Sequence, residues 1–293
     1  MKDAAPKKSQ RVGFADKPGI AALRILFPVL AKVAPKTAAK LALKIFLTPP
    51  RHKEPAWEAH FSGGAERQEV QSDGNAVAVY SWGQGEKKIL LCHAWGGRGT
   101  QLAKFIEPLV ASGYRVVAFD APGHGRSSGK STDMMEYSAA IHAVEKHLGG
   151  FEALVAHSFG AGNAMFSVSR FRIQTSKIIL IGCFSHGEWV IQKFGEILNI
   201  PAQVVAKMCG ALEKKYDGHL LWDKLDIVEM LRASGIPALI VHDEDDREIP
   251  YEHARKFRSI EQRIWFHDTQ RLGHRRIVQN PLVIGRVVEF LKG

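Results

Sequence analysis

The chain has 293 residues, 45% of them apolar and 24% charged, with a formal net charge of +10. It is too apolar for a disordered chain, no stretch reaches the ~18 unbroken apolar residues of a spanning helix, and Cys92, Cys183 and Cys209 are too widely spaced for a disulfide framework or a zinc pattern. All the net charge lies at one end: residues 1–53 hold 12 Lys and Arg against Asp3 and Asp16, and the remainder holds 28 of each sign. A body without surplus positive charge argues against a nucleic-acid partner, and unpaired thiols point to a reducing, cytoplasmic setting.

In chain order, residues 1–18 are polar, rich in Lys, Pro and Gly, and expected to be mobile. Ile20–Leu30 is an apolar stretch interrupted by Arg24 and Pro28, and no small-residue cleavage site follows it, which argues against a secretory signal. Pro35–Leu47 reads as a helix, opened by Pro35 and stopped by Pro49-Pro50. Lys36, Lys40 and Lys44 continue the four-residue spacing begun by Lys32 and stripe that helix, while Leu41, Ile45 and Phe46 fall away from them. Two readings stay open: a helical arm packed on the body with its lysines in water, or peripheral contact of residues 1–53 with an anionic membrane surface.

From Trp57 onward, short apolar runs alternate with helix-period stretches. Gln68–Gln71 and Ala76–Trp82 are joined through Asp73-Gly74, a tight-hairpin pair. Ile89–Cys92, Val116–Phe119, Ala153–Ala156, Ile178–Ile181 and Ala238–His242 read as strands covered on both faces, with Ile264–Phe266 as a last strand. Helices are expected at Gln101–Ser112, Met134–Leu148, Gly162–Arg170, Tyr251–Arg258 and Leu282–Leu291. This order predicts a mostly parallel sheet between helix layers. Phe184–Ser234 has no strand-like run and reads as a helical cap insertion. Trp189, Phe194, Met208 and Trp222 within it either pack the insertion or line an apolar pocket.

In such sheets ligands bind beyond the carboxyl ends of the strands. After Ala153–Ala156 comes His157-Ser158-Phe159-Gly160, a serine with small residues two positions to either side at a strand-to-helix turn. That pattern is a nucleophile elbow; the alternative is a serine that only caps the helix. After Ile89–Cys92 comes His93-Ala94-Trp95-Gly96-Gly97, a tight loop able to aim the Trp95 N–H, with that of Phe159, at a developing oxyanion. The His93 ring reads as structural, and Asp120–Gly129, with His124 and Arg126, as a turn-built loop lining the site. After Ala238–His242 come Asp243, Asp245 and Asp246, and Gly273-His274 follows the last strand. Serine, then acid, then histidine is the chain order that a triad needs on this architecture.

Together Cys92–Gly97, Asp120–Gly129, Ala156–Gly160, His242–Pro250 and Gly273–His274 resemble the α/β-hydrolase superfamily, serine-nucleophile branch, over roughly residues 65–293. The resemblance implies an α/β-hydrolase fold at 56–293 with the cap at about 184–234, preceded by a basic extension at 1–55. It also implies Ser158 as nucleophile, Asp246 as acid, His274 as base, and the Trp95 and Phe159 amides as oxyanion hole. Among the three aspartates, the family register selects Asp246. Ala156 and Ala94 stand where the family more often has glycine.

A serine nucleophile implies acyl transfer. The leading expectation is a carboxylesterase for small or medium acyl substrates, with no metal or organic cofactor. The alternatives are an aminopeptidase or amidase using Glu188 or Glu213 for a substrate amine, and a non-catalytic binding protein on the same fold.

Overall fold

The computed structural model describes residues 18–261 and 263–293. The mobile stretch expected at the N-terminus falls on residues outside that description, except for Pro18, which opens the first helix.

The sheet has eight strands: β1 (Glu66–Ser72), β2 (Asn75–Trp82), β3 (Lys88–Cys92), β4 (Arg115–Phe119), β5 (Phe151–His157), β6 (Thr175–Ile181), β7 (Ala238–Asp243) and β8 (Ile264–Thr269). Their order is β1-β2-β4-β3-β5-β6-β7-β8. β2 is antiparallel to β1 and β4, and every other pair is parallel. The β1–β2 turn holds Asp73 and Gly74 at φ 45° and 78°, both left-handed, as a two-residue hairpin of this twist requires.

Side-chain alternation gives the inner strands β3 to β7 two buried faces. On one, Ile89, Leu91, Val116, Ala118, Val155, Ile179 and Val241 share a core with Leu109, Val283 and Val287. The opposite positions, Leu90, Val117, Leu154 and Leu180, are buried as well. Short runs of bulky aliphatic residues therefore form strands because water is excluded from both sides.

The helices are α1 (Pro18–Val33), α2 (Pro35–Leu47), α3 (Ala56–Gly63), α4 (Ile106–Ala111), α5 (Met134–Leu148), α6 (Phe159–Phe171), α7 (Gly187–Leu198), α8 (Ala202–Lys215), α9 (Ile227–Ser234), α10 (Glu252–Phe257), α11 (Gly273–Arg276) and α12 (Pro281–Lys292). One expected helix is split. Gln101–Ser112 is a 3₁₀ turn at Gly99–Phe105, non-helical at Leu102, followed by the short α4. Pro108 lacks an N–H and its ring opposes the carbonyl four residues back, so a regular helix can begin only just before it.

The chain folds as two compact units. Residues 18–46 join Trp189–His219 in one, and Leu47–Glu188 with Leu220–Gly293, which contain the whole sheet, form the other. Of the segment 184–234, the sheet unit therefore takes both ends, including α9. In the helical unit Leu198, Val204, Met208 and Leu212 are buried, and the Phe46 and Phe194 rings meet edge to face at 5.1 Å. Lys36, Lys40 and Lys44 are exposed, whereas Leu41, Ile45 and Phe46 are partly buried. No helix among the described residues is long and apolar enough to cross a membrane.

Candidate active site

The carboxyl ends of β3, β5, β6 and β7, and the loop after β8, converge within the sheet unit. Ser158 sits between β5 and α6 at φ 56°, ψ −119°, a conformation that costs a non-glycine residue of order 1–3 kcal/mol unless its surroundings enforce it. They do so here. Its N–H donates to the Ile181 carbonyl at 2.9 Å, and α6 crosses so closely that a Cβ on Gly160 would lie 2.4 Å from the His93 carbonyl oxygen. Glycine at 160 is thus a steric necessity. The Ser158 side chain makes no capping bond to α6.

Its hydroxyl instead lies 2.8 Å from His274 Nε2, and His274 Nδ1 lies 2.7 Å from Asp246 Oδ2. With Nδ1–H donating to the carboxylate, Nε2 is left as acceptor for the serine proton. The other carboxylate oxygen, Asp246 Oδ1, accepts the N–H groups of Glu248 and Ile249 at 2.8 and 2.9 Å, which fixes the carboxylate plane. The structure thus brings together Ser158, Asp246 and His274 in one line of hydrogen bonds.

The neighbouring aspartates differ in role. Asp243 is fully buried at the end of β7, and its carboxylate accepts from Thr269 Oγ1 and the N–H groups of Asp245, Leu272 and Gly273 at 2.7–3.1 Å. Burial alone would raise its pKa; the bonds from Thr269, Gly273, Leu272 and Asp245 outweigh burial and leave it below the ordinary carboxylate value. It braces the loop that carries His274. Asp245 accepts the Arg271 N–H at 2.8 Å and so pins the same loop from its exposed side.

Trp95 and Phe159 are neighbours, their rings 5.1 Å apart and edge to face. Their backbone N–H groups donate to no protein group among the described residues. The loop that holds Trp95 is built from below: the Gly96 N–H donates to His124 Nε2 at 3.0 Å, and the Ala94 N–H to Gln101 Oε1 at 2.7 Å. His93 is fully buried, with Nδ1–H on the Ala94 carbonyl and Nε2 accepting the Ala121 N–H. Burial pushes the pKa of His93 down to about 4 and that of His124 to about 3, so both are neutral acceptors that shape the loops. Asp120 binds Tyr80 and the N–H groups of Gly99 and Arg126, tying the Asp120–Gly129 loop to the same wall.

Three contributors escaped the sequence. The fully buried His157 points its Nε2 at the His274 carbonyl, 2.9 Å away, with its ring centroid 4.7 Å from that of His274. Burial, then the nearby His274, holds it well below the usual histidine pKa. His242 donates from Nε2 to the Ile249 carbonyl and lies 3.7 Å from Asp246; burial lowers its pKa too, leaving His274 as the histidine hydrogen-bonded to that carboxylate. Gly182, at φ 55°, directs its open side toward the imidazole, where a Cβ would sit 3.2 Å from His274 Cε1. Adjacency to Ser158 was the only sequence signal for His157; the other two had none. Among the described residues no group of three or more His, Cys, Asp or Glu could hold a metal ion.

A hydroxyl, an imidazole and a carboxylate so aligned at the carboxyl rim of a mostly parallel sheet have the geometry that serine hydrolases use. Residues 87–194 match the family model described as the alpha/beta hydrolase fold. The chain is 29% identical over 224 residues to a non-heme haloperoxidase of Rhodococcus erythropolis, covering 61% of this chain and 81% of that one. It is 25% identical over 232 residues to a bifunctional esterase/perhydrolase of Acinetobacter calcoaceticus, covering 63% and 83%. An esterase structure from Pyrococcus furiosus superimposes with a TM-score of 0.64 at 17% identity, over 84% of this chain and 97% of that one. The chain has the α/β-hydrolase fold.

Proposed function

We propose that this hydrolase cleaves carboxylic esters of small to medium acyl chain through an acyl-enzyme. Ser158 Oγ attacks the ester carbonyl carbon as His274 Nε2 takes its proton. The Asp246 carboxylate keeps the imidazole in the Nδ1–H tautomer and stabilises the imidazolium that forms. The carbonyl oxygen, now carrying the negative charge, accepts from the unengaged N–H groups of Trp95 and Phe159; one such donor is typically worth about 10²–10³ in rate. Collapse of the tetrahedral species breaks the bond to the alcohol oxygen, which receives the proton from His274. Water, deprotonated by the same imidazole, then releases the acid and restores Ser158.

The observation that carries this reading is the continuous contact from Asp246 Oδ2 through the His274 ring to Ser158 Oγ, at 2.7 and 2.8 Å. The esterase named among the relatives supports it. That relative's printed name also includes perhydrolase. The same acyl-enzyme, attacked by hydrogen peroxide instead of water, would release a peracid, so peracid formation is the second activity to assay.

The test is a panel of p-nitrophenyl esters graded by acyl length, run beside fluorophosphonate labelling, on the wild type and Ser158→Ala. Turnover and labelling should both vanish in the variant. Ester hydrolysis that survives the substitution, or a folded wild type inert on the whole panel, would refute the proposal.

A further inference from the structure

The helix α1 is apolar on two sides. Its inner side buries Ile20, Phe27 and Ala31. On its outer side Ile25, Leu26, Val29 and Val33 are 73, 42, 58 and 76% exposed. These four fall at helical spacings of one, three and four, so they form one stripe rather than scattered residues. A helix apolar all round is normally buried all round, and single exposed apolar residues are common where such a stripe is not.

The stripe cannot simply roll inward, because α1 is fastened at its middle. Pro28 has no N–H for the Arg24 carbonyl, and Asn199 Nδ2 donates to that carbonyl at 3.1 Å. The Arg24 guanidinium donates in return to the Ile197 carbonyl, at the end of α7. Both bonds lie inside the helical unit and set the rotation of α1 about its axis.

Charge says what the outer face meets. Residues 18–47 contain Arg24, Lys32, Lys36, Lys40 and Lys44 and no Asp or Glu, and all five basic side chains are exposed. Residues 18–46 and 189–219 together hold nine Lys and Arg against three Asp and Glu. A second copy docked face to face would set these lysines against themselves, since a two-fold contact uses the same patch twice.

We propose that the outer face of α1 docks on an anionic lipid surface. Ile25, Leu26, Val29 and Val33 enter the boundary between headgroups and acyl chains, and Lys32 and the exposed α2 lysines pair with lipid phosphates. Nothing in this rests on the reaction at Ser158.

The test is flotation of the full chain with vesicles of phosphatidylglycerol and phosphatidylcholine in equal parts, against pure phosphatidylcholine vesicles. Binding to the anionic vesicles should be at least tenfold stronger and should weaken as salt is raised. Val29→Glu/Val33→Glu should cut it at least tenfold, and Lys36→Glu/Lys40→Glu should cut it on anionic vesicles, with unchanged thermal melting. Should the glutamate pair perturb folding, Ile25→Ser/Val33→Ser removes the same apolar stripe and must give the same loss. No flotation on anionic vesicles, or flotation that none of these stripe variants alters, overturns the proposal. So does a dimer in gel filtration that Val29→Glu/Val33→Glu dissolves while no vesicle binding is found.

Discussion

Two carboxylates three residues apart, Asp243 and Asp246, should fail in opposite ways when each becomes an amide. In the wild type each Asp243 carboxylate oxygen accepts two bonds: Oδ1 from the Asp245 and Gly273 N–H groups, and Oδ2 from Thr269 Oγ1 and the Leu272 N–H; Asp243→Asn leaves one oxygen. An NH₂ in place of Oδ1 opposes two backbone donors; in place of Oδ2 it opposes the Leu272 N–H, while the Thr269 hydroxyl can turn to accept from it. Hydrogen bonds to a charged group are worth about 1.5–3 kcal/mol each, so losing at least one costs at least about 1.5–3 kcal/mol.

In Asp246→Asn, the retained oxygen can still accept the Glu248 and Ile249 N–H groups, so stability should change by less than about 2 kcal/mol. Its new NH₂ faces His274 Nδ1 and favours the tautomer with hydrogen on Nε2, which cannot accept the serine proton. The same exchange in a serine–histidine–aspartate site lowers turnover about 10⁴-fold. Urea unfolding followed by circular dichroism, beside p-nitrophenyl acetate turnover, reads both effects. Asp243→Asn within 1 kcal/mol of wild type, or Asp246→Asn keeping more than about a tenth of turnover, would refute the division of labour drawn here.

Gly160→Ala should destabilise the sheet unit by at least about 2 kcal/mol, since its Cβ would meet the His93 and Cys92 carbonyl oxygens at 2.4 and 2.6 Å; a melting temperature equal to wild type would contradict that contact. Acid should weaken the fold through His93 and His124, whose pKa values burial depresses to about 4 and about 3. The unfolded chain takes up these protons near pH 6.5 and the folded one does not, so stability is full above that pH and lost as pH falls toward 4. Each contributes a loss of about 2 kcal/mol between pH 7 and 5, visible as a falling urea midpoint, and a midpoint that rises over that window would exclude it. Asn199→Gly, which keeps the left-handed backbone at 199 while removing the amide, should cost about 0.5–1 kcal/mol in the wild type. In a Pro28→Ala background it should cost less, because the restored N–H can take the Arg24 carbonyl; equal costs in a double-mutant cycle would show the amide bond to be idle.

Local physics made much of this protein legible from its residues alone. Four- and five-residue aliphatic runs bounded by turns suit strands shielded on both faces, Asp73-Gly74 suits a left-handed two-residue turn, and a serine flanked by small residues between strand and helix marks its own strained turn. Met134–Leu148 is a helix at both of its expected ends, with Asp133 as its N-cap. Where local signals competed, the outcome was not legible: Pro108 split the stretch Gln101–Ser112 despite its helical period.

What needed the tertiary structure is whatever depends on groups far apart in sequence. Asp243, Asp245 and Asp246 are alike in type and lie within four residues; the family register selects Asp246, but residue type and spacing do not, and the return of the chain at Leu272–His274 is what makes one carboxylate brace two loops and another face an imidazole. His157 and Gly182 matter through His274, more than ninety residues away from either, and no spacing rule connects them. The outward side of α1 was likewise beyond a reading of periodicity, because a helix apolar on both sides shows no preferred face until Asn199 and the Ile197 carbonyl fix its rotation.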